Sequence, residues 1–173
     1  EHINAINAVN EGITIATLNV NEKVVLNQIV ATIKIIPFAV SLKDLDSVQT
    51  LANENNFIIK VLPLQARKVA LLQTTLPGIK TKILDKTSAV LDAKLGSLGS
   101  RLIIEKQCEH NHHSIAEYLQ EIINIGAEII LIMGASATTD RRDVIPKGIE
   151  TAGGSIDHFG MPVDPGNLLL IAH

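Results

Sequence analysis

One segment of the chain combines small residues, hydroxyl groups and charges in a pattern that suits anion binding. Gly134-Ala135-Ser136-Ala137-Thr138-Thr139-Asp140 directly follows an apolar run, and Arg141-Arg142-Asp143 comes next. Small side chains let backbone N–H groups approach a phosphate, and the start of a following helix adds a favourable dipole. The guanidinium groups can pair with phosphate, and the Asp143 carboxylate can hold a metal ion. The same residues also suit an exposed loop that ends in a charged helix cap.

An earlier segment repeats this chemistry. Thr74-Thr75-Leu76-Pro77-Gly78 and Asp85-Lys86-Thr87 supply hydroxyls, a glycine turn, a carboxylate and a lysine. The alternative is a plain turn followed by Thr87 as the N-cap of a helix. Loops that leave the carboxyl ends of parallel strands meet at one edge of the sheet, where ligands usually bind. We therefore expect the two segments to face each other across one crevice.

A histidine-rich segment, Glu109-His110-Asn111-His112-His113, contains candidate metal ligands. Neighbouring residues on one loop rarely converge on a zinc ion without a second anchor, and the nearby thiol of Cys108 ends a predicted strand. A polar lead-in to a helix is therefore the favoured interpretation, with metal binding as the alternative. His158 and His173 lie in or beside apolar strands, which is typical of packing residues.

The elements that position these segments alternate between strand and helix from about residue 66. Apolar runs predict strands over 68–74, 101–105 and 128–133, with two last strands over 155–161 and 168–171. One predicted helix is capped by Thr87 and ends at Gly99; the next begins with a capping box at Ser114 and closes at Gly126. A short helix opens near Pro146. This order predicts an α/β fold, a three-layer α/β/α sandwich with a mostly parallel sheet.

Residues 1–65 have a different pattern, which predicts a small β-rich segment ahead of an α/β domain at 66–173. Alternating β-branched residues predict an antiparallel unit from strands over 12–18, 24–26 and 29–36, then a helix capped by Ser41 and a strand over 57–62. The chain begins without methionine and ends on an apolar run. We interpret it as a fragment, truncated at the C-terminus of its second domain; a genuine terminal strand is the alternative.

Composition narrows the function classes. The 173 residues carry a formal charge of −3 and only 2% aromatic residues, which disfavours nucleic-acid binding because basic stripes and stacking rings are missing. A single cysteine suits a reducing compartment, so we expect a cytoplasmic protein. No apolar run approaches the roughly 20 residues of a membrane helix, so no membrane partner is expected. The glycine patterns of NAD-binding, P-loop and α/β-hydrolase proteins are absent from the sequence.

Several of these motifs together resemble one family. Gly134-Ala135-Ser136, the stretch from Asp140 to Pro146, Gly153-Gly154 and the stretch from Met161 to Asn167 are similar to the molybdopterin-binding domain. That domain is shared by molybdopterin adenylyltransferases, molybdopterin molybdotransferases and competence-damage-inducible proteins. The likeness is greatest to a longer variant in which it precedes a cytidylyltransferase-like module, carried by residues 31–40, 85–87 and 160–167. The variant continues past the position of His173.

The resemblance implies a ligand and a set of site residues. The ligand is molybdopterin or a related pterin-phosphate or nucleotide, with Mg²⁺ as a further cofactor. Asp143 matches a position of nucleotide- or metal-assisted chemistry, which makes it the candidate catalytic residue and metal ligand. With the two anion segments above, the ligand-binding candidates are Thr74, Thr75, Gly78, Asp85, Thr87, Gly134, Ala135, Ser136, Thr138, Asp140, Arg142, Pro165 and Gly166.

The resemblance leaves three functions open. The chain can be a nucleotidyl- or molybdo-transferase of molybdenum cofactor synthesis, with Asp143 holding Mg²⁺ and an arginine neutralising phosphate. It can instead be a non-catalytic or regulatory domain that presents the cofactor to a covalently linked C-terminal cytidylyltransferase-like module. Ala135, Ser136 and Ala137 stand where the family has glycines, which favours this second reading because β-carbons restrict backbone approach to phosphate. Hydrolysis of a nucleotide-like metabolite is the third, and a homo-oligomer is compatible with each.

Overall fold

The computed structural model describes residues 2–54 and 58–173 and divides the chain into two compact units, Glu1–Leu62 and Pro63–His173. Among the described residues, no helix combines the length and the apolar character needed to cross a bilayer. The first residue of the strand predicted over 57–62, Phe57, lies outside the described residues. Residues 58–62 form bends and irregular chain instead of a strand.

The first unit contains a two-stranded antiparallel sheet and two helices. Its elements are α1 (His2–Asn7), β1 (Ile13–Thr17), β2 (Ala31–Ile35) and α2 (Leu42–Glu54). The register runs from Ile13 opposite Ile35 to Thr17 opposite Ala31, which confirms the predicted antiparallel pair. Ser41 caps α2 as expected, because its Oγ accepts from the Asp44 N–H at 3.1 Å.

The strand predicted over residues 24–26 is wrong. The Gln28 amide oxygen accepts from the Val25 N–H at 3.0 Å, and the Val25 carbonyl accepts from the Gln28 N–H at 3.1 Å. This closed turn passes through Asn27 at a φ of 65°, a left-handed conformation that asparagine tolerates. The apolar run is therefore exposed chain, with Leu26 91% exposed, and its β-branched composition did not decide its structure.

The second unit is built on a three-stranded parallel sheet in the order β4-β3-β5, with strands β3 (Lys68–Thr75), β4 (Arg101–Glu109) and β5 (Ile129–Met133). Helices α3 (Thr81–Gly96) and α4 (His112–Ile125) connect the strands. Alternate residues of β3 meet different helices: Gln73 bonds Ser88 of α3, and Leu72 packs in the cluster with Ile115 and Ile122 of α4. The sheet therefore has helices on both faces, which confirms the predicted α/β class.

The rest of the second unit forms α5 (Val144–Thr151), β6 (Ile156–Phe159) and β7 (Leu170–Ala172). The last two strands exist as predicted, although shorter, and they pair with each other in antiparallel fashion instead of extending the parallel sheet. The buried cluster on the α4 face of the sheet joins β3, β4, α4 and α5. Its fully or nearly buried members are Ala70, Leu72, Cys108, Ile115, Leu119, Ile122, Ile145 and Ile149.

Two predicted helix starts are wrong. Helix α3 begins at Thr81, so Thr87 is no N-cap and donates its hydroxyl to the Ile83 carbonyl at 3.0 Å; the helix ends at Gly96 and not at Gly99. Helix α4 is capped by Asn111, whose side-chain oxygen accepts from the Ser114 N–H at 2.9 Å. Asn111 takes the cap because its backbone is extended there, whereas Ser114 already lies in the first turn. Gly126 ends α4 at a φ of 85°, as predicted.

Candidate functional site

The carboxyl ends of β3, β4 and β5 lie at one edge of the parallel sheet. Thr74 is the second-last residue of β3, His110 directly follows β4, and Gly134 directly follows β5. The His110 N–H donates to the Thr75 carbonyl at 3.0 Å, which continues the strand pairing and fixes the histidine backbone beside β3. Three chain segments that are distant in sequence therefore deliver side chains to the same place.

A chain of hydrogen bonds joins these three strand ends. The Ala135 N–H donates to Thr74 Oγ1 at 2.8 Å, and Thr74 Oγ1 lies 2.8 Å from His110 Nδ1. His110 Nε2 in turn lies 2.9 Å from Ser136 Oγ. Thr74 is buried, His110 is half-buried and Ser136 is exposed, so the chain runs from the interior of the sheet to the surface.

The connection from β5 to α5 has two parts with different bonding. We name Gly134–Thr138 the inner half and residues 139–143 the outer half. The inner half is tied to the sheet through Ala135 and Ser136. A β-carbon added at Gly134 would lie 2.6 Å from the Ser136 carbonyl oxygen and 2.7 Å from Ile145 Cδ1. Glycine is therefore required there by close packing of the turn on itself.

The inner half presents unused backbone donors. Within the described residues, the N–H groups of Ser136, Ala137 and Thr138 have no hydrogen-bond acceptor, and the residues on either side of this run are bonded. Consecutive free N–H groups in a loop are a common means of binding an anion. Ser136 and Ala137 are exposed, so an anion can reach these donors from solvent.

Both carboxylates of the outer half, and Arg142, bond within the outer half itself. Asp143 Oδ2 accepts from the Thr139 N–H at 2.7 Å, from the Asp140 N–H at 3.0 Å and from the Thr139 hydroxyl at 3.3 Å. These backbone hydrogen bonds lower the pKa of Asp143. Asp140 pairs with Arg142 at 3.1 Å, and this side-chain contact lowers the pKa of Asp140. Asp143 and Asp140, which were predicted to bind metal and ligand, therefore make the hydrogen bonds and the ion pair that stabilise the loop.

The side chains of the outer half and of the histidine segment are the candidate ligands for Mg²⁺. Among the described residues, no group of three or more histidine, cysteine, aspartate or glutamate side chains converges as metal ligands do. One oxygen of Asp143 is committed to three loop donors. His112 and His113 stack on each other with ring centroids 4.0 Å apart, at the start of α4. This donor set does not build a metal centre, and we derive no step through a metal ion.

An apolar groove of about 930 Å³ borders the inner half. It runs along β5, between side chains of α3 and α4 and the residues of β7. Its lining is mostly aliphatic. Its polar side chains lie on α3, after the carboxyl end of β5, before the amino end of β5 and after β7: Thr87, Lys94, Ser136, Thr138, Glu128 and His173. The members that the sequence predicted as site residues are Thr87, Gly134, Ser136 and Thr138.

Other predicted site residues are placed elsewhere. Asp85 is exposed on α3, and Gly78 lies in an open turn with no atom within 4 Å of an added β-carbon. The Thr75 hydroxyl donates to the Cys108 carbonyl at 3.0 Å. Pro165 and Gly166 lie in the connection between β6 and β7. Within the described residues, none of these side chains makes a hydrogen bond to the inner half.

Sequence reasoning missed His110 as a site residue. The segment 109–113 predicted a helix lead-in, which Asn111 does provide, and this prediction left the histidine before it without a role. The signal was present in the position of His110, directly after the second of three parallel strands. Thr74, His110 and Gly134 lie at the carboxyl ends of three parallel strands and place a hydroxyl, an imidazole and a small-residue turn at one edge.

The chain was compared with protein-family models, with curated proteins and with solved structures. No family model, no curated protein and no solved structure matches it. The resemblance to the molybdopterin-binding domain thus stays a prediction from residue motifs.

Proposed function

We propose that the second unit is a molybdopterin-binding-type domain that takes a pterin-phosphate or nucleotide ligand. The phosphate binds the free N–H groups of Ser136, Ala137 and Thr138, and the ring system enters the apolar groove beside β5. The observation that carries this proposal is the adjacency of the two features, since Ser136 and Thr138 belong both to the run of free donors and to the groove lining. Small-molecule sites typically combine a mostly apolar cleft with a few convergent polar groups.

The bonding of the outer half favours a binding and presenting role over a transferase role. A transferase of this kind needs an acidic side chain free to act on metal or nucleotide, and a cation free to neutralise phosphate. Asp143 is bonded to the loop backbone, so the acidic side chain is the requirement that is not met; Arg142 is paired with Asp140 while 91% exposed, and Arg141 is the remaining cation of the outer half. We therefore propose a non-catalytic domain that presents its ligand to a linked cytidylyltransferase-like module, in the cytoplasm. Transferase activity is the competing candidate.

Calorimetric titration of the whole chain tests the binding proposal. Molybdopterin, CMP and pyrophosphate are the probes, each with and without Mg²⁺. We expect saturable binding that Ala137→Pro weakens, because proline removes one of the three free N–H groups, and that Ala137→Ser preserves, because serine keeps it. Absence of binding at millimolar concentrations of every probe, or equal affinity in the two variants, would refute the proposal.

Incubation of the chain with nucleotide and molybdopterin separates the two candidates. We expect binding without formation of a nucleotidylated product. Product formation that requires Asp143 would instead establish the transferase.

A further inference from the structure

The direction of each hydrogen bond between the strand ends can be deduced from one fixed donor. The Ala135 N–H can only donate, so Thr74 Oγ1 accepts from it at 2.8 Å. Thr74 is buried, with 1% of its surface exposed, and its hydroxyl has one hydrogen left to place. Among the described residues, the only other polar partner of this hydroxyl is His110 Nδ1 at 2.8 Å. The Thr74 hydroxyl therefore donates to Nδ1, since a buried hydroxyl hydrogen without an acceptor is costly.

This direction fixes the tautomer of His110. An imidazole nitrogen that accepts a hydrogen bond carries no proton, so the proton of the neutral ring is on Nε2. Nε2 then donates to Ser136 Oγ at 2.9 Å. Because Ser136 Oγ accepts from the histidine, its own hydrogen is free to point outward from this exposed residue.

We propose that Thr74 and His110 orient the inner half as an array of donors that selects a ligand group able only to accept, a fully deprotonated oxyanion such as a phosphate monoester dianion. The inference rests on the proposed function and deepens it by naming the chemistry of the group bound. Ser136 offers its hydroxyl hydrogen beside the free N–H groups, so Ser136, Ala137 and Thr138 together supply donors at this end of the groove. Thr74 and His110 are positioning residues, because they act through Ser136.

The opposite direction would give a different chemistry. If Nδ1–H donated to Thr74, then Nε2 would accept from Ser136, and the serine would be a nucleophile activated by a histidine. The buried Thr74 hydrogen would then have no acceptor among the described residues. The hydrogen-bond arrangement thus supports anion recognition over covalent catalysis.

Nitrogen-15 NMR of the histidine side chains in the full chain tests the tautomer directly. At mildly alkaline pH we expect the His110 Nδ1 resonance of an unprotonated nitrogen and the Nε2 resonance of a protonated one. Thr74→Val removes the donor and should give a mixture of tautomers, whereas Thr74→Ser keeps the hydroxyl and the wild-type pattern. A protonated Nδ1 in the wild-type chain would overturn the inference without any ligand or variant.

Titration with methyl phosphate, a simple phosphate monoester, and with sulfate tests the consequence at mildly alkaline pH, where neither anion carries a proton. We expect His110→Ala and Thr74→Val each to weaken binding about tenfold, the effect of losing one charge-assisted hydrogen bond. His110→Gln, whose amide N–H can replace Nε2–H, should recover part of the loss. If the wild-type chain binds neither anion, the proposed function fails, and the nitrogen spectrum still decides the tautomer. If it binds both and the variants bind equally well, the inference alone fails.

Discussion

The two halves of the connection from β5 to α5 differ in where their polar groups are directed. The outer half contains the charged residues. Its two carboxylates bond backbone N–H groups and Arg142 within the same five residues. The inner half is uncharged, yet it is tied to two other strands and retains three free N–H groups. From the sequence, the charged residues are the groups expected to bind a ligand. In the structure both carboxylates and Arg142 stabilise the loop, and the neutral N–H groups of the inner half have no acceptor among the described residues.

This difference follows from elementary electrostatics. A carboxylate that lies close to the N–H groups of its own loop is most stable when it accepts hydrogen bonds from them. An exposed ion pair with a more distant residue would add little to the free energy of folding. The N–H groups of Ser136, Ala137 and Thr138 are not bonded by either carboxylate, and they have no other acceptor among the described residues. An uncharged donor of this kind stays available unless the fold supplies an acceptor.

Gly134→Val should produce the largest effect, since it disrupts the inner half directly and also crowds Ile145 of the buried cluster. Its β-carbon would meet the Ser136 carbonyl at 2.6 Å and Ile145 Cδ1 at 2.7 Å, so the turn must shift. We expect loss of phosphate binding and a destabilisation of about 1–3 kcal/mol. Urea unfolding and calorimetry measure the two effects. Gly96→Ala, at a position with open space in α3, is the control and should leave binding unchanged.

Asp143→Asn should loosen the outer half and leave the inner half bonded. We expect several-fold faster amide hydrogen exchange at Thr139 and Asp140, whose N–H groups donate to Asp143 in the wild-type chain. The folded-state pKa of Asp143 is lowered, so its stabilising contribution is present above about pH 4 and is lost as pH falls through the folded value.

Unfolding of wild type and variant across that pH range checks the sign. The stability difference should shrink in acid. Asp92→Asn, at an exposed carboxylate of α3, is the control. Faster exchange at Ala135 in Asp143→Asn would show that the halves are not independent.

Labelling of Cys108 reports whether changes in the inner half reach the core. Burial, assisted by Glu109, raises the pKa of the Cys108 thiol to about 11, so we expect slow reaction with maleimide at neutral pH in the folded chain. Cys108 lies two residues before His110 and belongs to the buried cluster. The rate should stay low in His110→Gln. Fast labelling in that variant would mean that the site and the core are one packed body.

Arg142→Ala should have the smallest effect. The guanidinium pairs with Asp140 and is otherwise exposed, so phosphate affinity should change by less than about twofold. Arg141→Ala is the companion variant, because the sequence gives both arginines equal claim to the phosphate. A tenfold loss in Arg142→Ala would reverse the comparison and return the phosphate site to the outer half.

The strands of the sheet could be predicted from the sequence because each contains an apolar run, which is typical of a covered parallel strand. Strands β3 and β5 follow the predicted ranges 68–74 and 128–133 within one residue, whereas β4 continues four residues past the predicted end at Glu105, through mostly polar residues. Helix starts were harder, because several nearby residues compete for each cap. Lys80 precedes α3 with an extended backbone and no side-chain cap, so nothing local distinguished Thr81 from Thr87.

The site was half predictable. The small-residue turn after β5 is recognisable from types and order, and it lies where the sequence put it. The roles of Thr74 and His110 depend on contacts across more than 30 residues, and no local spacing encodes them. The reading of Asp143 as a metal ligand follows from its type, whereas its bonding partners follow from the turn its own loop makes.

Strand β3 is paired on both sides, and Val69 to Leu72 within it are completely buried. The backbone of the inner half is therefore anchored, through Thr74, on what should be the last part of this unit to open. A compound that binds only the folded unit would stabilise it by about 2.7 kcal/mol at a hundred times its dissociation constant, which raises the melting temperature. A simple thermal-shift screen of phosphorylated metabolites can consequently find even weak ligands of this chain.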